Sequence, residues 1–299
     1  MLVPLEFETV DGVQTAETIK QPGVLEWALK EWQEGRGGPL ASGVSGTAFL
    51  SYASILPKSD QDSIPKSMEK GLSATPSYHR SKQFEIQKQV FLSQKEASAQ
   101  FNFARTGFNP FSSESVSGLF QHDDPGNYLG VATALTHPFS RGSVHINSSD
   151  PKALPIIDPR YLSHPIDIEV LANGLLFVQE LVETAPLSSV IKDSPDGLGK
   201  KIQPSFKIDK KLDRERAVEF VREAAISSWH PIGTCSMLPR DEGGVVDEKM
   251  RVYGVNRLRV VDASVMPLHV RGNIASTVYA IAERAADLIK EDWVVENSH

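Results

Sequence analysis

Trp229-His230-Pro231-Ile232-Gly233-Thr234-Cys235, Leu258-Arg259-Val260-Val261-Asp262-Ala263-Ser264 and Arg271-Gly272-Asn273-Ile274 stand in that order ahead of an Ala-rich carboxy-terminal segment. The apolar run at 258–261 predicts a short buried strand. Asp262 follows it directly. In open parallel sheets ligands bind beyond the carboxyl ends of strands, where an Asp can accept a hydrogen bond from a ribose or ribityl hydroxyl. A helix-cap or turn Asp is the competing reading. The next loop ends at Asn273, which either caps a helix over 274–291 or projects its amide outward. That helix carries Ala275, Ser276, Ala280, Ala282, Ala285 and Ala286, small enough for close approach to a sheet or a flat ligand. Its amino end supplies unpaired N–H groups and partial positive charge.

His230 follows a predicted helix over 213–227 that Asp213 can cap. Pro231 stops continuation of that helix, and Gly233 permits the tight backbone beyond it. A His displayed at such a break suits a general base near neutral pH; a structural His at a helix end is the alternative.

Outward from this block, the chain of 299 residues is long enough for one large or two moderate domains. Its formal charge of −7 is spread along the sequence, with no basic cluster suited to nucleic acid or an anionic membrane. No apolar run is long enough to span a bilayer. The single Cys, Cys235, excludes an intrachain disulfide and reads as a small packed hydrophobe. The eight His residues form no metal-ligand spacing. The segment 1–10 reads as a strand and lacks the basic and apolar regions of a secretion signal. Asn147-Ser148-Ser149 is a formal glycosylation sequon that matters only in a secreted chain.

A helix is expected over 22–33, with Leu25, Leu29 and Trp32 on one face. The cluster Gly35-Arg36-Gly37-Gly38-Pro39-Leu40 is not Gly-x-Gly-x-x-Gly and has no strand before it, so it is a loop. Strands are expected at 48–56, 128–136 and 142–147. Helix is expected within 78–100 and over 166–182, prolonged at 187–191. Loops are expected at 57–77 and 192–211, and 150–160 should be extended. Phe101, Phe103, Phe108 and Phe111 line a passage or pack in the core.

Taken together, the segments 229–237, Gly243-Gly244-Val245-Val246-Asp247, Arg251-Val252-Tyr253-Gly254-Val255, 258–264 and 273–290 resemble the carboxy-terminal half of the glucose–methanol–choline (GMC) flavoprotein oxidoreductases. Weaker resemblance runs upstream through Arg141-Gly142-Ser143-Val144-His145-Ile146 and Ile157-Asp158-Pro159-Arg160-Tyr161-Leu162. The resemblance implies FAD as cofactor and a small-molecule alcohol as substrate. It places His230 at the substrate hydroxyl proton and Asn273 as its catalytic partner. Trp229, Asp262, Ala263 and Ile274 fall at cofactor-contacting positions.

The implied architecture is an α+β substrate-side domain over 1–227. Residues 228–299 would be a partial α/β, Rossmann-like portion of an FAD-binding domain. The family's amino-terminal nucleotide-binding half, with its Gly-x-Gly-x-x-Gly turn, has no counterpart in this sequence. Two functional expectations follow. One is an oxidoreductase acting on CH–OH groups, working with an amino-terminal FAD-binding chain if the enzyme is split. The other is a truncated, noncatalytic fragment.

Overall fold

The computed structural model describes residues 1–41, 44–56, 61, 64–69, 82–112, 116–119, 124–197, 199–203, 206, 208 and 211–297. Alternating side chains in the first segment build strand β1 (Leu2–Glu8). One face presents Val3, Leu5 and Phe7, all essentially inaccessible; the opposite face presents Pro4, Glu6 and Glu8. β1 joins β2 (Val44–Leu50), β3 (Ala99–Ala104) and β4 (Tyr128–Leu135) in an antiparallel sheet of order β1-β4-β3-β2. Pro4 is tolerated because β1 lies at the sheet edge. That edge is covered by short bridges, Leu2↔Ile226, Phe7↔Ile202 and Thr9↔Ile191.

The apolar face of the sheet packs against α3 (Pro165–Val182), which contributes Leu171, Leu175, Val178 and Val182 to the main core. Gly174 permits the close approach, since a Cβ there would lie 2.2 Å from Thr133 Oγ1. Asp167, in the first turn of α3, accepts from the backbone N–H groups of Phe139 (2.9 Å) and Ser140 (2.8 Å), tying the turn after β4 to the helix. α4 (Arg214–Ala224) is capped by Asp213, whose Oδ1 accepts from Arg216 N at 2.9 Å. It buries Ala217, Phe220, Val221 and Ala224, packing on α3. This is the α+β arrangement expected for the larger part of the chain.

Several local expectations change. Residues 44–50 are strand, but Tyr52–Ile55 turn into a short helix. Helix α2 (Lys82–Leu92) ends well before Gln100, and the first two aromatics of the Phe-rich stretch lie in β3, with Phe101 fully buried. α1 (Val24–Gln33) buries only Ala28; Leu25, Leu29 and Trp32 are 48%, 42% and 55% exposed. Ile64–Glu69 is helical within the expected loop 57–77, most of which lies outside the described residues. The extended segments 142–147 and 150–160 pair as a small hairpin, β5 (Ser143–His145) with β6 (Ile156–Asp158). A 3-10 turn, Leu187–Val190, follows α3.

The expected strand at 258–261 is absent. Arg259 makes a single bridge to Arg251, and Leu258 is 48% exposed. The backbone bonds are local: Val252 N–H donates to Leu258 O and Val260 N–H to Met250 O. With no neighbouring strand alongside among the described residues, the apolar run follows a loop instead. Val261 packs with Met237 and Ile281 on a small cluster of Met250, Ala285 and Leu288. The last helix, α5 (Ala275–Asn297), is pinned by Asp292, which pairs with Arg259 (2.5 Å) and Lys249 (3.3 Å).

Candidate active site

The start of β1 fixes the first wall. Leu2 and Ile226 exchange backbone hydrogen bonds of 3.0 Å, and the Met1 amine donates to Ser228 Oγ at 3.4 Å. The chain beyond α4 is thus held against the sheet end just before Trp229. Trp229 adopts φ 55°, a left-handed conformation uncommon for a bulky residue. Its N–H donates to Ser227 Oγ at 3.0 Å and its side chain is 41% exposed. That turn displays His230, half-buried, ahead of Pro231 and Gly233 (φ 85°).

The second wall is the loop 262–274. Asp262 caps a 3-10 turn, Ala263–Val265, its Oδ1 accepting from Ser264 N–H at 2.8 Å. The cap reading of Asp262 therefore holds locally, on an exposed side chain. Cys235 N–H donates to Ser264 O (2.9 Å) and Met237 N–H to Val265 O (2.8 Å), stitching the two walls together. Gln83 of α2 donates to Pro267 O at 2.9 Å. Arg271 pairs with Glu96 at 3.3 Å. Gly272 (φ 79°) allows Phe49 of β2 to press against the loop, its ring 3.1 Å from where a Cβ would stand.

Asn273 is exposed, and Ile274 is buried. The helix starts one residue later than expected: Val278 N–H donates to Ile274 O, so Ile274 occupies the cap position and Asn273 precedes it. The Asn amide is therefore presented outward rather than consumed as the cap. Ala275 and Ser276 are exposed, leaving the positive end of α5 open beside Asn273.

A residue that the sequence reading passed over joins the walls. The His269 ring lies 6.3 Å, centroid to centroid, from that of His230. Its Nδ1 is 2.7 Å from Val270 O. Burial first, then His269, then the Met1 amine lower the proton affinity of His230. His137, at the end of β4, is pushed down to about 4 by burial, with His269 and Arg271 acting in the same direction. The neighbourhood disfavours positive charge on these rings. Nothing in the sequence spacing marked His269; only the folded loops bring its ring beside that of His230.

The comparisons agree on one family. The GMC oxidoreductase profile matches residues 138–282. A dehydrogenase of Monascus purpureus is 33% identical over 301 residues, covering 96% of this chain and 46% of the relative. A GMC oxidoreductase family protein of Malassezia sympodialis is 42% identical over 161 residues, 54% of this chain and 24% of that protein. A fungal aryl-alcohol oxidase structure shares the fold with a TM-score of 0.72 at 24% identity, covering 98% of this chain and 47% of that one. The formate oxidase of Aspergillus oryzae gives 0.69 at 22%, covering 97% and 46%. The chain thus spans about half the length of that Monascus dehydrogenase. It belongs to the GMC oxidoreductase family and corresponds to the carboxy-terminal half of those proteins.

Proposed function

We propose that this chain supplies the substrate wall and the proton-handling residues of an FAD-dependent oxidoreductase acting on the CH–OH group of a small alcohol. The carrying observation is His230: a half-buried base, displayed at a left-handed turn, opposite the loop that presents Asn273. The unprotonated imidazole nitrogen accepts the hydroxyl proton as the C–H bond breaks, and the alcohol becomes a carbonyl. The Asn273 amide donates to the same oxygen and holds it in line. When bound, FAD supplies the hydride acceptor.

The residues present fit the ring end of that cofactor. The open amino end of α5 suits negative charge, and the exposed Trp229 turn and Ile274 flank it. Asp262 and Ala263 fit the sugar-alcohol portion, because the cap to Ser264 N–H engages only Oδ1 of the Asp262 carboxylate. In this reading residues 1–227 form the substrate-side domain, and 228–299 form the carboxy-terminal portion of the FAD-binding domain.

The apolar surface supports a further part of the reading. Ile146 (87% exposed), Leu154 (84%) and Ile157 (67%) project from the β5–β6 hairpin and its connection, and Tyr279 (75%) and Trp293 (66%) from α5. In this reading these apolar side chains are covered by a partner surface. The nucleotide-binding half of the relatives, joined or as a separate chain, is the partner that fits it. The rival is a noncatalytic GMC-like fragment.

Absorption spectra of the purified chain, with and without FAD, are the first test. A bound-flavin spectrum, alone or with an amino-terminal half supplied in trans, supports the reading; its absence in both favours the fragment. With flavin bound, His230→Ala should lower alcohol-dependent flavin reduction by about 100-fold or more while leaving flavin content near that of the parent. Equal loss of both would make His230 structural.

A further inference from the structure

We propose that Asn102 is a specificity-determining residue: its carboxamide, held by Gln100 and Thr47 on the sheet, binds a second hydroxyl group of the alcohol. The proposal deepens the alcohol-oxidation reading and rests on it in calling the ligand a substrate. The strand register carries the argument. Leu2 stands opposite Ala134, Ala134 opposite Gln100, and Gln100 opposite Phe49, a row across all four strands. Residues directly opposite one another share a face, here the face turned away from the main core. The row has one end at each wall of the site. Leu2 is bonded to Ile226, ahead of the Trp229 turn that displays His230. Phe49 presses against Gly272, next to Asn273. The sheet face between them is the floor of the site.

The next row, Pro4-Ala132-Asn102-Thr47, lies about 7 Å further along the strands. Thr47 Oγ1 donates to Asn102 Oδ1 at 3.2 Å, and Gln100 Nε2 donates to the same oxygen at 2.9 Å. Two donors on one oxygen fix the Asn102 amide and leave its N–H₂ without an acceptor among the described residues. Gln100 Oε1 has no donor among them either. Turning both amides over exchanges these roles and leaves the same balance, one donor group and one acceptor. A hydroxyl group both donates and accepts, so it satisfies both. A carboxylate only accepts and an ammonium only donates, so each satisfies one. Gln100 is buried, Asn102 half-buried, and Thr47 and Phe49 are exposed. The ladder is therefore reached from the Asn273 side, across the Phe49 ring, which faces the carbons between the two oxygens.

The test uses the full-length chain labelled with nitrogen-15 and two probes, hexane-1,6-diol and hexan-1-ol, which differ by one terminal hydroxyl. The side-chain amide resonances of Gln100 and Asn102 are assigned with Gln100→Leu and Asn102→Val. Titration followed by NMR gives a dissociation constant for each probe. The diol should shift both side-chain amides. The ratio of the hexan-1-ol constant to the diol constant should fall about fivefold in Asn102→Val, as expected for one lost hydrogen bond.

An unchanged ratio in Asn102→Val overturns the proposal and leaves the ladder a cross-strand contact of the sheet. So does a diol that shifts neither side-chain amide in the parent. If Asn102→Val does not fold, Gln100→Leu decides on the same ratio: a fall of similar size supports the proposal, and no change overturns it. Neither readout needs flavin or turnover. The subsite can therefore stand even if His230→Ala leaves flavin reduction intact, an outcome that sinks the proton-acceptor reading, and it can fail while that reading stands.

Discussion

Glu6 is a carboxyl group buried at a cost. It is fully buried on the face of β1 opposite the main core, and neither carboxylate oxygen has a hydrogen-bond partner among the described residues. Burial first, then Glu17 and Asp124, raise its pKa well above the usual range. The nearby Gln203 gives its amide N–H₂ to Asp124 (3.1 Å), while its own Oε1 has no donor among the described residues. Glu6→Gln keeps the shape, is neutral at every pH and brings two donors to this acceptor-rich spot.

In the unfolded chain Glu6 ionises above about pH 4.3, whereas in the folded chain it keeps its proton to higher pH. The parent therefore loses stability as pH rises from the unfolded pKa towards the folded one, by at most about 1.4 kcal/mol per pH unit. The variant does not. The two should match near pH 4, and the variant should lead by about 1–3 kcal/mol at pH 7, the cost of an unsatisfied buried group. Thermal unfolding followed by circular dichroism at pH 4, 5.5 and 7 measures this directly. At about 2–4 °C per kcal/mol, the gap should open steadily with pH. A gap independent of pH, or a variant that melts below the parent at pH 7, would show that Glu6 is ionised and paired, and the reasoning would fail.

Gly174→Ala should lower stability by about 1–3 kcal/mol, because the added Cβ meets Thr133 Oγ1 at 2.2 Å. Adding Thr133→Ala should recover much of that loss in the same melt, since the hydroxyl removed is buried without a partner among the described residues. Asp167→Asn exchanges one of two carboxylate acceptors for a donor facing the N–H of Phe139 or Ser140. It should cost about 1–3 kcal/mol and accelerate exchange at those two amides. An unchanged rate there would show that the turn after β4 is held by other contacts.

The parts of the fold legible in the sequence are those whose local signals agree with their packing. β1 and β4 show alternating or continuous apolar runs. α4 announces its start through Asp213, and α3 is apolar on the face it buries. β3 was hidden because Ala99–Ala104 follows a charged helical stretch closely and its aromatics look like generic core. Val260 and Val261 have strand-forming side chains, but a strand needs a neighbour, and Met250 and Val252 give the run 258–261 isolated backbone bonds. α1 has a proper apolar stripe, yet that stripe faces outward. The pattern records which residues seek cover, not what supplies it. The same limit applies at the candidate site: His230 and Asn273 are singled out by their motifs, whereas His269 comes beside His230 only when two loops distant in sequence meet.

The placement of β1 bears on how the chain is made. Its neighbour in the sheet is β4, with Leu2 opposite Ala134 and Glu8 opposite Tyr128, and its outer edge is met by short bridges at Ile191, Ile202 and Ile226. During synthesis Val3, Leu5 and Phe7 leave the ribosome long before α3 exists to cover them. Such distant pairings fold slowly and leave apolar strands open to aggregation. Yield should therefore respond to chaperone supply and growth temperature more than the stability of the finished sheet would suggest. The β2–β3–β4 meander, closed by nearer partners, would form first and wait for β1 to dock.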